Sequence, residues 1–269
     1  MPLAHTDAPG EGADLLHRLW IYTNYDCNLS CSYCVAESFV GAERNGVALE
    51  DVYRLIDEAV ALGMTDLFLT GGEPFILHEI FPMLQYGLER IHVTVLSNGI
   101  LLKGKRLQHL EALPNREHLT LQISLDGAEA ATHDFYRGVG SWQKAIDAIV
   151  RLKAANFHVR LGTTETPENR DNLPAMCQLH RRLGIPDGDH IVRPLVQRGF
   201  STKGMAVSLP ALEPEVTVDR HGVYWHPVVT DADLLISPDL FPLRDALERI
   251  KEIRSSLLAV TGGAASRFR

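Results

Sequence analysis

Three of the chain's four cysteines fall within the stretch YDCNLSCSYCVAE, residues 25–37, at Cys27, Cys31 and Cys34. Thiols at spacings of four and three suggest a metal or redox loop. A structural zinc site needs a fourth Cys or His at comparable spacing, and the nearest downstream histidine is His78, beyond the Gly71–Pro74 turn. A dithiol redox site uses one Cys-x-x-Cys pair and leaves Cys27 idle. Three thiolates on one loop are suited to hold three irons of a cubane [4Fe–4S] cluster, leaving the fourth iron open to a non-protein ligand. The alternative to all of these is three unrelated buried cysteines.

Six apolar runs alternate with amphipathic stretches and would position that loop. Strands are expected at 19–24, 66–70, 92–98, 119–125, 158–164 and 190–195. Helices are expected at 49–63, 78–90, 103–113, 141–155 and 170–184. The first helix shows Val52, Leu55, Ile56, Ala59 and Val60 on one face. Alternating βα units imply a parallel sheet, and six fall short of the eight that close a full barrel. The expected fold is therefore α/β, a partial (β/α)6 TIM-type barrel with a short C-terminal hairpin-helix extension. Polar and glycine-rich residues mark the C-terminal ends of five consecutive strands: Cys27, Gly71–Glu73, Ser97–Gly99, Ser124–Gly127 and Thr163–Glu165. Loops at those ends converge on the mouth of such a sheet, so the active site is expected there.

The 269 residues divide on this reading into a flexible lead-in at 1–16, a barrel at 17–197 and an extension at 198–269. The extension begins with a Gly-, Ser- and Pro-rich loop. It continues with a hairpin at VTVDRHGVYWHPV and closes with a helix at 242–260. A net charge of −8 argues against a dedicated nucleic-acid binder. No apolar run is long enough to span a membrane, and the N-terminus lacks a signal-peptide pattern. The expected location is the cytoplasm, where thiols stay reduced.

These motifs together resemble the radical S-adenosylmethionine (radical SAM) superfamily. Its cluster loop has the same Cys-x3-Cys-x2-Cys spacing with an aromatic before the last cysteine, here Tyr33. TGGEP (70–74), LSNG (96–99) and ISLDG (123–127) resemble its SAM-facing segments, and HDFYRGVGSWQKAIDAI (133–149) resembles the branch that carries SPASM or twitch extensions. The resemblance covers roughly residues 18–200. It implies a cluster on Cys27, Cys31 and Cys34 and SAM bound by Gly71, Gly72, Glu73, Ser97, Asn98, Ser124, Asp126 and Arg137. Gly71 and Gly72 would let ligand approach the backbone, Glu73 would meet the SAM ammonium, and Ser124 and Asp126 would meet ribose hydroxyls. Thr163–Glu165 are candidates for adenine or substrate, and Arg193 for a substrate anion. It implies an external electron donor, a flavodoxin or ferredoxin, and a 5′-deoxyadenosyl radical that takes a hydrogen atom from a peptide or small-molecule substrate.

The chain departs from the SPASM pattern. After residue 34 its only cysteine is Cys177, read as a helix cysteine, so the extension is expected to be a cluster-free remnant over the barrel mouth. His221 and His226 are read as hairpin histidines. Three functions stay open: modification of a peptide or protein side chain, small-molecule or cofactor biosynthesis, and a non-catalytic metal-binding module. No residue is singled out as the catalytic acid or base.

Overall fold

The computed structural model describes residues 16–261. The expected lead-in at 1–16 and the last residues of the extension therefore lie almost wholly outside the described part. The six anticipated strands are β1 (Arg18–Asn24), β2 (Asp66–Gly71), β3 (His92–Ser97), β4 (Leu119–Ser124), β5 (His158–Glu165) and β6 (His190–Pro194). Each pairs in parallel with the next, as β1-β2-β3-β4-β5-β6.

Strand residues alternate between two environments, as a period of two requires. Leu19, Ile21, Leu67, Leu69, Val93, Val95, Leu121, Ile123 and Leu161 are fully buried in the main core. The residues between them, Trp20, Tyr22, Thr70, Leu96, Gln122, Ser124, Gly162 and Thr164, line a central cavity. The outer layer includes α1 (Leu49–Ala61), α2 (Ile80–Leu88), α3 (Lys105–Glu111), α5 (Ser141–Ala154) and α6 (Leu173–Arg182). Helix α1 buries Val52, Leu55, Ile56 and Ala59, the expected stripe, while Val60 stays exposed. Each such leucine or isoleucine contributes about 2 kcal/mol of transfer free energy.

Two elements depart from expectation. Helix α4 (Ala130–Arg137) buries only His133, so it has no apolar stripe by which to announce itself. Its Asp134 accepts hydrogen bonds from Gly140 N (2.6 Å), Trp142 N (2.8 Å) and Ser141 Oγ (3.0 Å), capping the start of α5 from outside. The extension, in turn, is not a separate appendage. Strand β7 (Val216–Asp219) pairs in parallel with β1, and β8 (Gly222–Tyr224) and β9 (Leu235–Ser237) follow antiparallel. The described residues thus form one nine-stranded sheet, β6-β5-β4-β3-β2-β1-β7-β8-β9. The closing helix α7 (Leu243–Thr261) buries Leu243, Ala246, Leu247 and Ile250, and Leu243 N donates to Glu58 Oε2 of α1 at 2.6 Å. No described helix is long and apolar enough to cross a membrane.

Candidate active site

The cavity at the C-terminal ends of the strands has a volume of about 270 Å³. Cys27, Cys31 and Cys34 all line it, and all are free thiols. Their loop is gripped from three sides. Cys27 N donates to Phe39 O (3.2 Å), Ser32 N to Tyr136 O of α4 (3.1 Å), and Phe200 N to Cys34 O (3.1 Å). That last bond comes from the extension. It depends on Gly199, whose φ is +57° and whose added Cβ would sit 2.3 Å from Cys34 O.

Burial pushes the Cys27 thiol up to about 12 and also raises Cys31, the latter opposed by the nearby Arg137 guanidinium. A buried thiolate therefore needs a cation to hold it, which is the chemistry of a metal-binding loop. Leu29 N (3.4 Å) and Asn98 Nδ2 (3.8 Å) point at Cys27 Sγ. Three free thiols on one loop, with backbone and amide donors around the first, fit a cluster held at three corners.

Gly71 and Gly72 also line the cavity, and their lack of Cβ has a packing role too. A Cβ on Gly71 would lie 2.2 Å from Asn24 O, and one on Gly72 2.1 Å from Asp26 O. The glycines let β2 pack against the chain that leads into the cysteines, and Gly72 N donates to Asn24 O at 2.7 Å.

Glu73 lies beside the cavity rather than among its lining residues. Its carboxylate is fully buried behind the cavity and accepts from Ser97 Oγ (2.8 Å), Asn98 N (2.9 Å) and Phe75 N (3.2 Å). Burial pushes its pKa up to about 7 despite those three donors. Asp126 is also fully buried and accepts from Tyr33 Oη, Arg137 Nε (2.5 Å) and Thr164 N (2.9 Å). Burial opposes its charge, but the Arg137 guanidinium holds its carboxyl below the usual range. Tyr33, the aromatic before the last cysteine, thereby ties the cysteine loop to the end of β4.

Ser97, Asn98, Ser124 and Arg137 line the cavity. Asn98 bridges to the cysteine loop, donating to Asn28 Oδ1 at 2.8 Å. Of the Thr163–Glu165 group, Thr164 lies on the inner face. The Thr163 hydroxyl turns outward to Leu125 O (2.6 Å), and Glu165 pairs with Arg170 at 2.7 Å. Arg193 reaches the cavity. So does His226, which is 3% exposed rather than a solvated hairpin residue. Burial, with Arg193 nearby, pushes the His226 ring down to about 3, so it is neutral. His221 stays exposed at the β7–β8 turn.

Four further cavity residues had no sequence motif: Trp20, Tyr22, Gln122 and Glu215. Gln122 Oε1 is buried with no hydrogen-bond partner among the described residues. Its one signal is a polar residue inside the apolar strand LTLQIS. Trp20 Nε1 donates to Glu215 at 2.5 Å and Tyr22 Oη to Pro227 O at 2.7 Å, so the extension supplies one wall.

A partial parallel barrel with a three-thiol loop over its mouth defines a class of cluster-bearing enzyme fold. The sequence profile of the radical SAM superfamily matches residues 21–179, and the chain belongs to that superfamily, whose cofactors are a [4Fe–4S] cluster and S-adenosylmethionine. It is 30% identical over 160 residues to an AdoMet-dependent heme synthase of Methanosarcina barkeri, covering 59% of this chain and 45% of that protein. It is 28% identical over 162 residues to the mycofactocin maturase MftC of Mycolicibacterium smegmatis, covering 60% and 40%. The chain thus spans less than half the length of these relatives. Its fold matches native anSMEcpe with bound AdoMet and Cp18Cys peptide at a TM-score of 0.65 and 12% identity, covering 87% of this chain and 81% of that one.

Proposed function

We propose that the chain is a radical SAM enzyme that modifies a peptide side chain. One observation carries the reading: the three thiols, the Gly71–Gly72 edge, Ser97, Asn98, Ser124 and Arg137 all face a single cavity closed by the chain's own extension. Cys27, Cys31 and Cys34 would hold the cluster. Gly71, Gly72, Ser97, Asn98, Ser124 and Arg137 would receive SAM, while Glu73 and Asp126 act as positioning residues behind them. The cluster and SAM, held there, would supply hydrogen-atom abstraction from the substrate. The surrounding wall of Trp20, Tyr22 and Val228 keeps that space dry. Arg193, Gln122 and His226 present a cation, an amide and a neutral imidazole to the substrate. Likeness to a peptide-bound structure over most of both chains supports a peptide, and the relation to a maturase points the same way.

The test is anaerobic reconstitution followed by dithionite and SAM. About four irons per chain and release of 5′-deoxyadenosine are expected. A Cys27→Ala/Cys31→Ala/Cys34→Ala variant that kept a full cluster would sink the metal assignment. The substrate class is read by deuterium transfer into 5′-deoxyadenosine from deuterium-labelled candidate peptides. Transfer from a labelled small metabolite instead would reverse the peptide reading. The electron donor in the cell is proposed to be a flavodoxin or ferredoxin.

A further inference from the structure

Away from the cavity, on the outer face of the sheet, three side chains of metal-binding type converge. Cys177 and His180 stand one turn apart on α6, and His190 opens β6. One donor atom from each lies within 4.8 Å of the other two. The two imidazole Nδ1 atoms face each other at 2.9 Å. Both rings are buried, and Cys177 is partly exposed.

Proton accounting makes the pair unusual. His180 Nε2 lies 2.8 Å from Asp187 Oδ1, a carboxylate that accepts only, so that nitrogen carries a hydrogen. His190 Nε2 lies 2.8 Å from the Thr163 hydroxyl, whose own hydrogen goes to Leu125 O at 2.6 Å. His190 Nε2 is therefore a donor as well. With both Nε2 atoms protonated, the two neutral rings aim Nδ1 lone pairs at each other. Such an arrangement persists only if something positive sits between them, either one extra proton or a metal ion.

We infer that Cys177, His180 and His190 form a zinc site. Two imidazoles and a thiolate are a donor set suited to zinc, with water completing the tetrahedron on the exposed Cys177 side. Zinc–nitrogen bonds of about 2.0–2.1 Å set two imidazole donors roughly 3.3 Å apart, so the rings need part by only a few tenths of an ångström. Both ligand rings already have the outer partners that metal-bound histidines use, a carboxylate on His180 and a hydroxyl on His190. Asp187 is in turn gripped by Arg181 at 2.6 and 2.7 Å. The ion would pin α6 to the strand that carries Arg193, and so fix the substrate wall of the cavity without touching it.

Zinc is titrated into untagged, anaerobically reconstituted protein, whose cluster occupies the other three thiols, and bound metal is counted by mass spectrometry. One equivalent of zinc beyond the cluster is expected. Cys177→Ser and His190→Asn should each weaken it by at least the ~10–100-fold that loss of an outer partner costs. In the Cys27→Ala/Cys31→Ala/Cys34→Ala chain Cys177 is the sole thiol, so cobalt(II) should give a thiolate charge-transfer band that Cys177→Ser abolishes. This second readout does not depend on the cluster or on SAM cleavage. Less than half an equivalent of zinc, or zinc binding that neither substitution changes, overturns the site and leaves a proton-bridged histidine pair. If His190→Asn fails to fold, Cys177→Ser alone decides, because its side chain is partly exposed.

Discussion

Glu73 offers a quantitative test of how the site is built. Its carboxyl is fully buried, and burial raises it from 4.5 to about 7 against the pull of three donors. A raised acid binds its proton more tightly in the folded chain than in the unfolded one. Its effect on stability is thus absent below pH 4.5 and grows unfavourable as pH rises through 7. The shift of roughly 2.5 units corresponds to about 3 kcal/mol across that window. Buried histidines act in the opposite sense. His133 is pushed down to about 4 and His226 to about 3, chiefly by burial, so each costs stability as pH falls below its unfolded value. The raw pH profile mixes these terms, but the difference between the native chain and Glu73→Gln cancels the histidines. Urea unfolding of the cluster-free, reduced chain at intervals from pH 4.5 to 8 supplies both curves. Glutamine adds a constant penalty, because its amide group meets N–H or O–H donors on at least one side. On that constant offset, the native chain should lose about 3 kcal/mol relative to Glu73→Gln between the two ends of the range. A difference curve that is flat, or that rises with pH, refutes the account of a carboxyl held behind the cavity with its pKa raised.

Arg137→Met leaves Asp126 buried with only Tyr33 and Thr164 N and should cost about 3 kcal/mol in urea unfolding. Combined with Asp126→Asn it should cost less than the sum of the single changes by about 2 kcal/mol, the mark of a coupled pair. Gly199→Ala imposes a left-handed conformation worth about 1 kcal/mol and drives a Cβ against Cys34 O, so iron per chain after reconstitution should fall while far-ultraviolet dichroism is kept. Gln122→Leu keeps the volume but removes the amide that faces the cavity. It should lower the amount of modified substrate formed per 5′-deoxyadenosine released, read by mass spectrometry, and an unchanged ratio would remove Gln122 from the substrate wall.

The repeating βα pattern was legible because each strand puts one apolar face against helices, and that leaves a strong period-two signal at Leu19/Ile21, Val93/Val95 and Leu121/Ile123. Helix α4 was hidden because its contribution is polar: Asp134 caps its neighbour and Tyr136 O holds the cysteine loop. The cavity's cysteine, serine, asparagine and arginine residues stood out by type and spacing. Glu73 and Asp126 stood out too, yet spacing cannot say to which side of a turn a carboxylate folds. Both fold inward and accept from backbone and side-chain donors there. Gly71 and Gly72 mark a close approach, but only coordinates tell that the approaching group is the chain at Asn24 and Asp26. His226 could not be told from a surface histidine, since its burial depends on strand pairings between segments far apart in sequence.

The extension changes meaning once the β1–β7 pairing is known. An open six-stranded barrel leaves β1 as an exposed parallel edge beside the cysteine loop, a place where backbone groups need partners and water could enter. Strand β7 covers that edge at Leu19, Trp20 and Ile21, Glu215 takes the Trp20 indole, and Pro227 takes the Tyr22 hydroxyl. On the other side of the mouth, Gly199 and Phe200 close on Cys34. One stretch of chain without a single cysteine therefore fixes both the cluster loop and the wall opposite it. In this chain the segment following the barrel supplies packing and hydrogen bonds at the site.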